Sequence, residues 1–566
     1  MGLAFLFGQS PTRLLITLVD TNQGSPPLYE MDFLPWHDAL DTVVGFAARQ
    51  GYYKPYFLWQ EGAFAYEDGV PIFPQSQAVY LLRSIPIIWS RSPYTRVRFD
   101  QSSRKTQLLS VYHGQTFGKG TGLTFLYRRR TRTGEYLGQV TDHYNVGGQL
   151  YTRVGRIWIA VGGGWNQLQD GIYGGVVYNE SPENGFNKER QVVRMNGARL
   201  RRWYRFFHTQ VGLQLGQQTA FSFLARFTED YPLLQAAGAL RPESPLSEDT
   251  LPFSYGARLL RKELIGELYH KLLQIQASYT QYQGRADSSL MQSWDFRALE
   301  VRSRIQVSTF SAYLTYRHWL NSLRPAPTLQ IEGRWQPAPY EVGLAYIQRN
   351  LPWIAYQRAS LASSALSNEV WARLWISWQA KATDTTIPPF SLRLWASQWN
   401  SPWLAERSYQ QREPIRSAGI TLHGGLRKRA FGFVVGSNLQ RVFSSTWSNA
   451  IPLVSGWIQP FIRWQLRKAV PVYHLGIRIS GFTTFHPLSY DLSLGSFYLN
   501  PAYSNFPQKA YAWIDPYLVV LVRRVMVYLR VEHANEGLWG PGYYLTAWYP
   551  MPGRAFSFGV QWDIYN

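Results

Sequence analysis

The chain has 566 residues, no cysteine, and a formal net charge of +21 from 57 Lys and Arg against 36 Asp and Glu. The lack of cysteine excludes thiol nucleophiles, thiolate metal sites and disulfides, and suits an oxidising compartment. No run approaches the roughly 20 apolar residues a helix needs to cross a bilayer, so a membrane-spanning reading requires strands.

The arginines are scattered over the whole chain with no compact basic domain. This argues against nucleic acid as a partner and for a basic lumen or loops that face phosphorylated lipid head groups. Aromatic residues make up 16% of the chain, with 23 Trp and 37 Tyr. Such rings belong at water–lipid interfaces, where outer-membrane barrels carry them as girdles. The mean hydropathy of −0.25 looks soluble, but a barrel strand averages an apolar and a polar face, so its membrane signal lies in the alternation.

At the N-terminus, Gly2 to Gly8 followed by Gln9-Ser10 resembles the tail of a secretory signal, with a cut near Gln9. Residues 1–10 are expected to be its remnant. From residue 11 to about 90 the pattern is irregular and broken by Pro26-Pro27, Pro35, Pro71 and Pro74. This segment is expected outside the barrel wall or tucked into its lumen.

From residue 91 onward, apolar and polar residues alternate in run after run. Leu273, Ile275, Ala277 and Tyr279 alternate with Gln274, Gln276, Ser278 and Thr280. Leu299, Val301, Ile305 and Val307 interleave with Glu300, Arg302, Arg304 and Gln306. The same period recurs at Ala372 to Gln379, where Arg373 and Trp375 share the polar parity, and at His474 to Ser480, Val525 to Glu532 and Ser557 to Asp563. A period of two puts successive side chains on opposite faces of a strand. Short basic connections at Arg427-Lys428-Arg429, Arg467-Lys468 and Arg523-Arg524 read as tight turns on one side. Longer stretches at Ala236 to Leu251, Ala359 to Asn368, Asn400 to Ser417 and Thr483 to Lys509 read as loops on the other. The expected fold is all-β: a transmembrane antiparallel β-barrel of about 20 strands (roughly 16 to 24) over residues 91–566.

On that register Glu300, Arg302, Arg304, Arg373, Arg463, Arg478, Arg530, Glu532, Gln274 and Gln276 are expected to line the pore. Val301, Ile305, Leu475, Ile477, Val527 and Leu529 are expected to face lipid. Glu532 and His533 are expected on opposite faces. Gly162-Gly163-Gly164 marks a place where something packs close, with the N-terminal segment as one candidate.

Enzymatic signatures are lacking. Gly118-Lys119-Gly120-Thr121-Gly122 lacks P-loop spacing and a following helix pattern, and reads as a hairpin turn. The ten His are dispersed, with no pair at ligand spacing, and there is no G-x-S-x-G elbow. No catalytic residue, metal ligand or cofactor is expected.

Ser92-Pro93-Tyr94-Thr95, Lys105-Thr106-Gln107 and His113-Gly114-Gln115, followed by Gly122-Leu123-Thr124-Phe125-Leu126-Tyr127-Arg128-Arg129, form an ordered set. With Leu18 to Thr21, Gly134-Glu135-Tyr136, Asp170-Gly171-Ile172 and the close from Tyr549 to Tyr565, the set resembles the putative porin family of Bacteroidetes-type outer-membrane proteins. The resemblance covers the first 175 residues and the last 20, and the chain ends on Tyr565-Asn566 where a bare aromatic is usual. It implies an outer-membrane barrel of the porin type and says little about what passes.

The function classes left open are three. The first is an outer-membrane porin that lets small hydrophilic solutes diffuse passively, with anion preference from the Arg excess. The second is a plugged barrel acting in export, envelope assembly or a complex with periplasmic or barrel partner proteins. The third is a soluble, aromatic-rich, glycan-binding β protein. The expected location is the cell outer membrane of a Gram-negative bacterium, with its lipid as a partner.

Overall fold

The computed structural model describes residues 16–18, 85, 87–89, 93–103, 106–118, 120–133, 140–172, 198–216, 219–236, 253–286, 294–320 and 327–350. Further along it describes 368–380, 389–400, 415–443, 449, 452–465, 471–487, 489–491, 496–498, 508–538, 544–546, 549–550 and 553–565. The expected signal remnant, nearly all of segment 11–90 and the Arg467-Lys468 turn lie outside the described residues.

Two short strands precede the wall, β1 (Ile16–Leu18) and β2 (Ile87–Trp89), paired in parallel. The wall opens with β3 (Tyr94–Ser102), β4 (Thr106–Phe117), β5 (Thr121–Arg132), β6 (Thr141–Val154), β7 (Ile157–Ile172) and β8 (Ala198–Gln214). It continues through β9 (Thr219–Ala236), β10 (Phe253–His270), β11 (Leu273–Ala286), β12 (Trp294–Val307), β13 (Phe310–Trp319), β14 (Thr328–Trp335) and β15 (Tyr340–Asn350). Next come β16 (Asn368–Gln379), β17 (Ser391–Asn400), β18 (Ile415–Lys428), β19 (Phe431–Phe443), β20 (Val454–Gln465) and β21 (Val472–Phe482). Two small hairpins, β22 (Ser489–Asp491) with β23 (Ser496–Tyr498) and β26 (Tyr544–Thr546) with β27 (Tyr549–Pro550), sit in connections. The last wall strands are β24 (Tyr511–Val522), β25 (Val525–Glu532) and β28 (Ala555–Tyr565).

Each wall strand pairs antiparallel with its neighbours in sequence, and β28 pairs with β3, so 22 strands close into one barrel. Closure removes both sheet edges and satisfies every ladder without solvent. The seam is also tied by side chains. Tyr94 Oη donates to Asp563 Oδ1 at 2.8 Å and Arg96 Nε to the same oxygen at 2.6 Å.

Because neighbours are antiparallel, connections alternate between two rims. The turns after β4, β6, β12, β18 and β24 share one rim, where Gly118, Gly155, Ser308, Arg429 and Arg523 hold φ between +50° and +60°. Links of two residues, or three after β4, between twisted strands favour that left-handed geometry. The Gly118 cluster is therefore a hairpin turn, as its spacing predicts. The long connections after β9, β15, β17 and β21 share the opposite rim.

Alternation sorts the two faces. On β21, Leu475, Ile477 and Ile479 are exposed while His474, Arg478 and Ser480 are buried. On β12, Leu299 and Val301 are exposed while Ala298 and Glu300 are buried. A surface that exposes its leucines and buries its charges is inside-out relative to a water-soluble domain. The apolar parity is the outer face of the barrel, and the polar parity is the bore.

Candidate functional site

The inner wall is built from arginine–carboxylate ladders across neighbouring strands. Glu300 pairs with Arg317 Nη2 at 2.6 Å and also with Arg302, and Glu263 is shared by Arg226 at 2.5 Å and Arg261. Arg530 pairs with Glu532 at 2.5 Å, and Ser557 Oγ donates to the same carboxylate at 2.8 Å. Arg202 pairs with Asp230, and Arg98 with Asp100 at 2.7 Å. Two carboxylates thus each serve two guanidinium groups, so these ladders carry surplus positive charge where the strands line the bore.

The remaining expected pore residues lie on the same parity. Arg304 bonds Gln306 Oε1 at 2.8 Å and lies over the Tyr313 ring at 5.1 Å. Arg373 is flanked by Trp375 at 5.9 Å and Trp395 at 5.4 Å, and Arg478 sits over Trp457 at 4.2 Å. A guanidinium over an indole face is attracted by the ring quadrupole, more strongly when desolvated, as the buried Arg373 and Arg478 are. Arg463 pairs in register with His474, Gln274 bonds Glu267, and Gln276 is buried on β11. On the other parity Val301, Ile305, Leu475, Ile477 and Leu529 are exposed, and Val527 is half-buried.

One adjacency differs from expectation. β25 ends at Glu532, and His533 turns the chain at φ 50° with its N–H donating to Asp515 Oδ1 at 2.7 Å. Its ring stacks on Trp513 at 6.0 Å. Strand alternation does not extend past the turn, so Glu532 and His533 are both buried and do not face opposite sides.

An apolar patch interrupts the polar bore, and alternation alone does not single it out. Leu168 on β7 and Tyr204 and Phe206 on β8 are on the inward parity, and Ile85, which precedes the wall, packs into them with 3% exposure. The chain therefore runs inside the bore at Ile85, and β2 just after it lies alongside β4 and β5. The triple glycine lies beneath this contact. A Cβ on Gly164 would sit 2.5 Å from Phe206 Cε1, and one on Gly162 would sit 2.9 Å from His208 Cε1. The close neighbours of the glycines are rings of β8, and the N-terminal chain packs onto one of those rings.

Among the described residues no group of three or more His, Cys, Asp or Glu is placed to hold a metal. Among the described residues no helix is long and apolar enough to cross a membrane.

Residues 408–566 match the family model described as "Putative porin". No curated protein matches the chain. Among solved structures, the barrel is similar to Pseudomonas aeruginosa FpvA bound to a heterologous pyoverdine, with TM-score 0.61 and 11% identity over 83% of this chain and 72% of that one. It is similar to the Escherichia coli ferric-catecholate import receptor Fiu, with TM-score 0.54 and 10% identity over 86% and 84% of the two chains. It is also similar to the FrpB iron transporter of Neisseria meningitidis, with TM-score 0.56 and 12% identity over 84% and 82%. Identities this low carry fold alone. The chain thus shows the porin family's pattern over residues 408–566, set in a closed 22-strand barrel whose architecture is that of the iron-receptor barrels.

Proposed function

We propose that the protein is a non-catalytic outer-membrane transport barrel that passes small hydrophilic solutes, with a preference for anions, through a bore obstructed by its own N-terminal chain. The observation that carries this reading is Ile85, buried in the bore among Leu168, Tyr204 and Phe206. Barrels of this strand number have a lumen too wide for wall side chains to fill, and transporters of that size hold a plug. The match to a porin family and the fold shared with iron-import receptors support transport. The leucine-rich outer face supports membrane insertion and disfavours a soluble glycan-binding protein.

Anion preference follows from carboxylates that serve two arginines each. Unobstructed diffusion through the whole bore does not fit a chain that packs against its inner wall at Ile85. A second reading, a receptor for a larger solute or a protein, draws on the same folds: FpvA is seen with pyoverdine, and FpvAI with pyocin S2.

The test is planar-bilayer recording of the intact chain and of Ile85→Glu. A carboxylate buried among these apolar side chains should expel the segment, since Arg202, in register with Leu168, is already paired with Asp230. Small or intermittent conductance in the intact protein and a several-fold larger, steadier one in the variant are expected. Equal large conductance in both would contradict obstruction, and none in either would favour the receptor reading.

A further inference from the structure

On the outer face of the barrel a group of cations gathers on β8, β9 and β10. Arg201 and Arg205 on β8 and Arg258 and Lys262 on β10 occupy the outward parity, with Glu229 on β9 between them. Arg205 is 61% exposed and Arg258 is 59% exposed. Both lean on the single carboxylate, Arg258 Nη2 at 2.7 Å and Arg205 Nη1 at 4.0 Å from Glu229. Arg201 Nε is buried with no hydrogen-bond partner among the described residues. Arg205 and Arg258 therefore share one carboxylate, with Arg201 and Lys262 on the same parity beside them.

The surroundings fix the depth of the group. These strands have 17, 18 and 18 residues, well beyond the roughly 9–11 that a tilted strand needs to cross the hydrocarbon. Toward the short-turn rim the outward residues are Phe207, Val211 and Leu213 on β8, Phe221 and Phe223 on β9, and Leu264 and Leu268 on β10, all exposed. That stretch is the lipid belt. The cations begin where the belt ends, on the long-connection side. Trp203 and Tyr231 stack at 5.4 Å and 22° within the group, as amphipathic rings do at the head-group level. Lys262, paired in register with Phe227, has the length to carry its ammonium up from the belt to the same level.

We infer that Arg201, Arg205, Arg258 and Lys262 form a binding surface on the outer wall for the phosphate-bearing head group of a lipid in the leaflet on the long-connection side. At the head-group level a phosphate supplies a further anion with acceptors that two guanidinium groups hold in fork geometry. Acyl chains then lie along the phenylalanines and leucines beneath. This inference rests on the membrane-barrel reading.

The experiment places the folded full-length protein in nanodiscs of phosphatidylcholine doped with either bisphosphorylated lipid A or the same lipid stripped of its phosphates. Retained lipid is read by native mass spectrometry. The intact protein should retain the phosphorylated form at least roughly tenfold better, the effect of about one charge-assisted contact. Arg205→Ala/Arg258→Ala/Lys262→Ala should lose that preference while keeping its folded band and its conductance, and Arg205→Lys/Arg258→Lys should keep most of it. Orthophosphate at equal concentration should not displace the lipid. Equal retention of both lipids, an unaffected triple variant, or displacement by orthophosphate would each overturn the inference. A protein that enters no nanodisc at all would instead refute the membrane reading.

Discussion

At the scale of single residues, two kinds of position make opposite demands. Glu300 is 6% exposed and holds both Arg302 and Arg317. Glu300→Gln leaves two guanidinium groups without their anion, and removing one partner of a buried pair costs roughly 3–5 kcal/mol. The folded band on unboiled SDS gels should vanish at a distinctly lower temperature, and adding Arg317→Gln should recover part of the loss. Outward positions behave differently. Val301→Arg or Ile477→Arg should cost roughly 2–4 kcal/mol near the midplane, and Val301→Cys should resist a water-soluble thiol reagent in intact membranes. Ready labelling would shift the register by one. These assignments are legible in sequence because a strand has a strict period of two: Glu300 and Val301 cannot share a face. Partner identity is not legible, since Arg317 meets Glu300 only through the register of β12 with β13. The Trp457 ring under Arg478 depends likewise on the register of β20 with β21.

At the scale of elements, strands and tight turns are readable while the contents of the bore are not. Arg427-Lys428-Arg429 and Arg523-Arg524 mark turns because alternation stops at them, and both fall on the short-turn rim. His533 shows the limit of such reading, since nothing in Glu532-His533 announces that β25 has ended. Leu168, Tyr204 and Phe206 are apolar residues on a polar parity. Such misplaced apolar side chains are the signal that something other than water covers them. Identifying Ile85 as the cover requires tertiary structure, because some 80 residues separate it from Leu168. The triple glycine offers a test of this packing. Gly164→Val would drive its side chain into Phe206, which is stacked on His208 at 5.9 Å and covered by Ile85. The variant should assemble poorly, and Gly164→Val/Phe206→Ala should recover folded protein on unboiled gels. Failure of the double variant to recover would mean that the glycine serves the strand and not the ring.

For the whole molecule, closure and charge dominate. A barrel without free edges resists detergent denaturation, so unboiled and boiled samples should migrate differently. Strand number is within reach of the sequence because length divided by a strand-plus-connection repeat gives about 20, close to the observed 22. Whether the bore is open depends on what fills it, which alternation does not encode. The central claim, a transport barrel obstructed from within, is tested most directly by single-channel recording of the intact chain and of a chain beginning at Ser92, under a salt gradient. The shortened chain should conduct several-fold more than the intact one. Its reversal potential should favour chloride over potassium, and the preference should shrink at molar salt, where the screening length falls to about 3 Å. Equal conductance from the two chains, or a cation preference in the shortened one, would contradict the account.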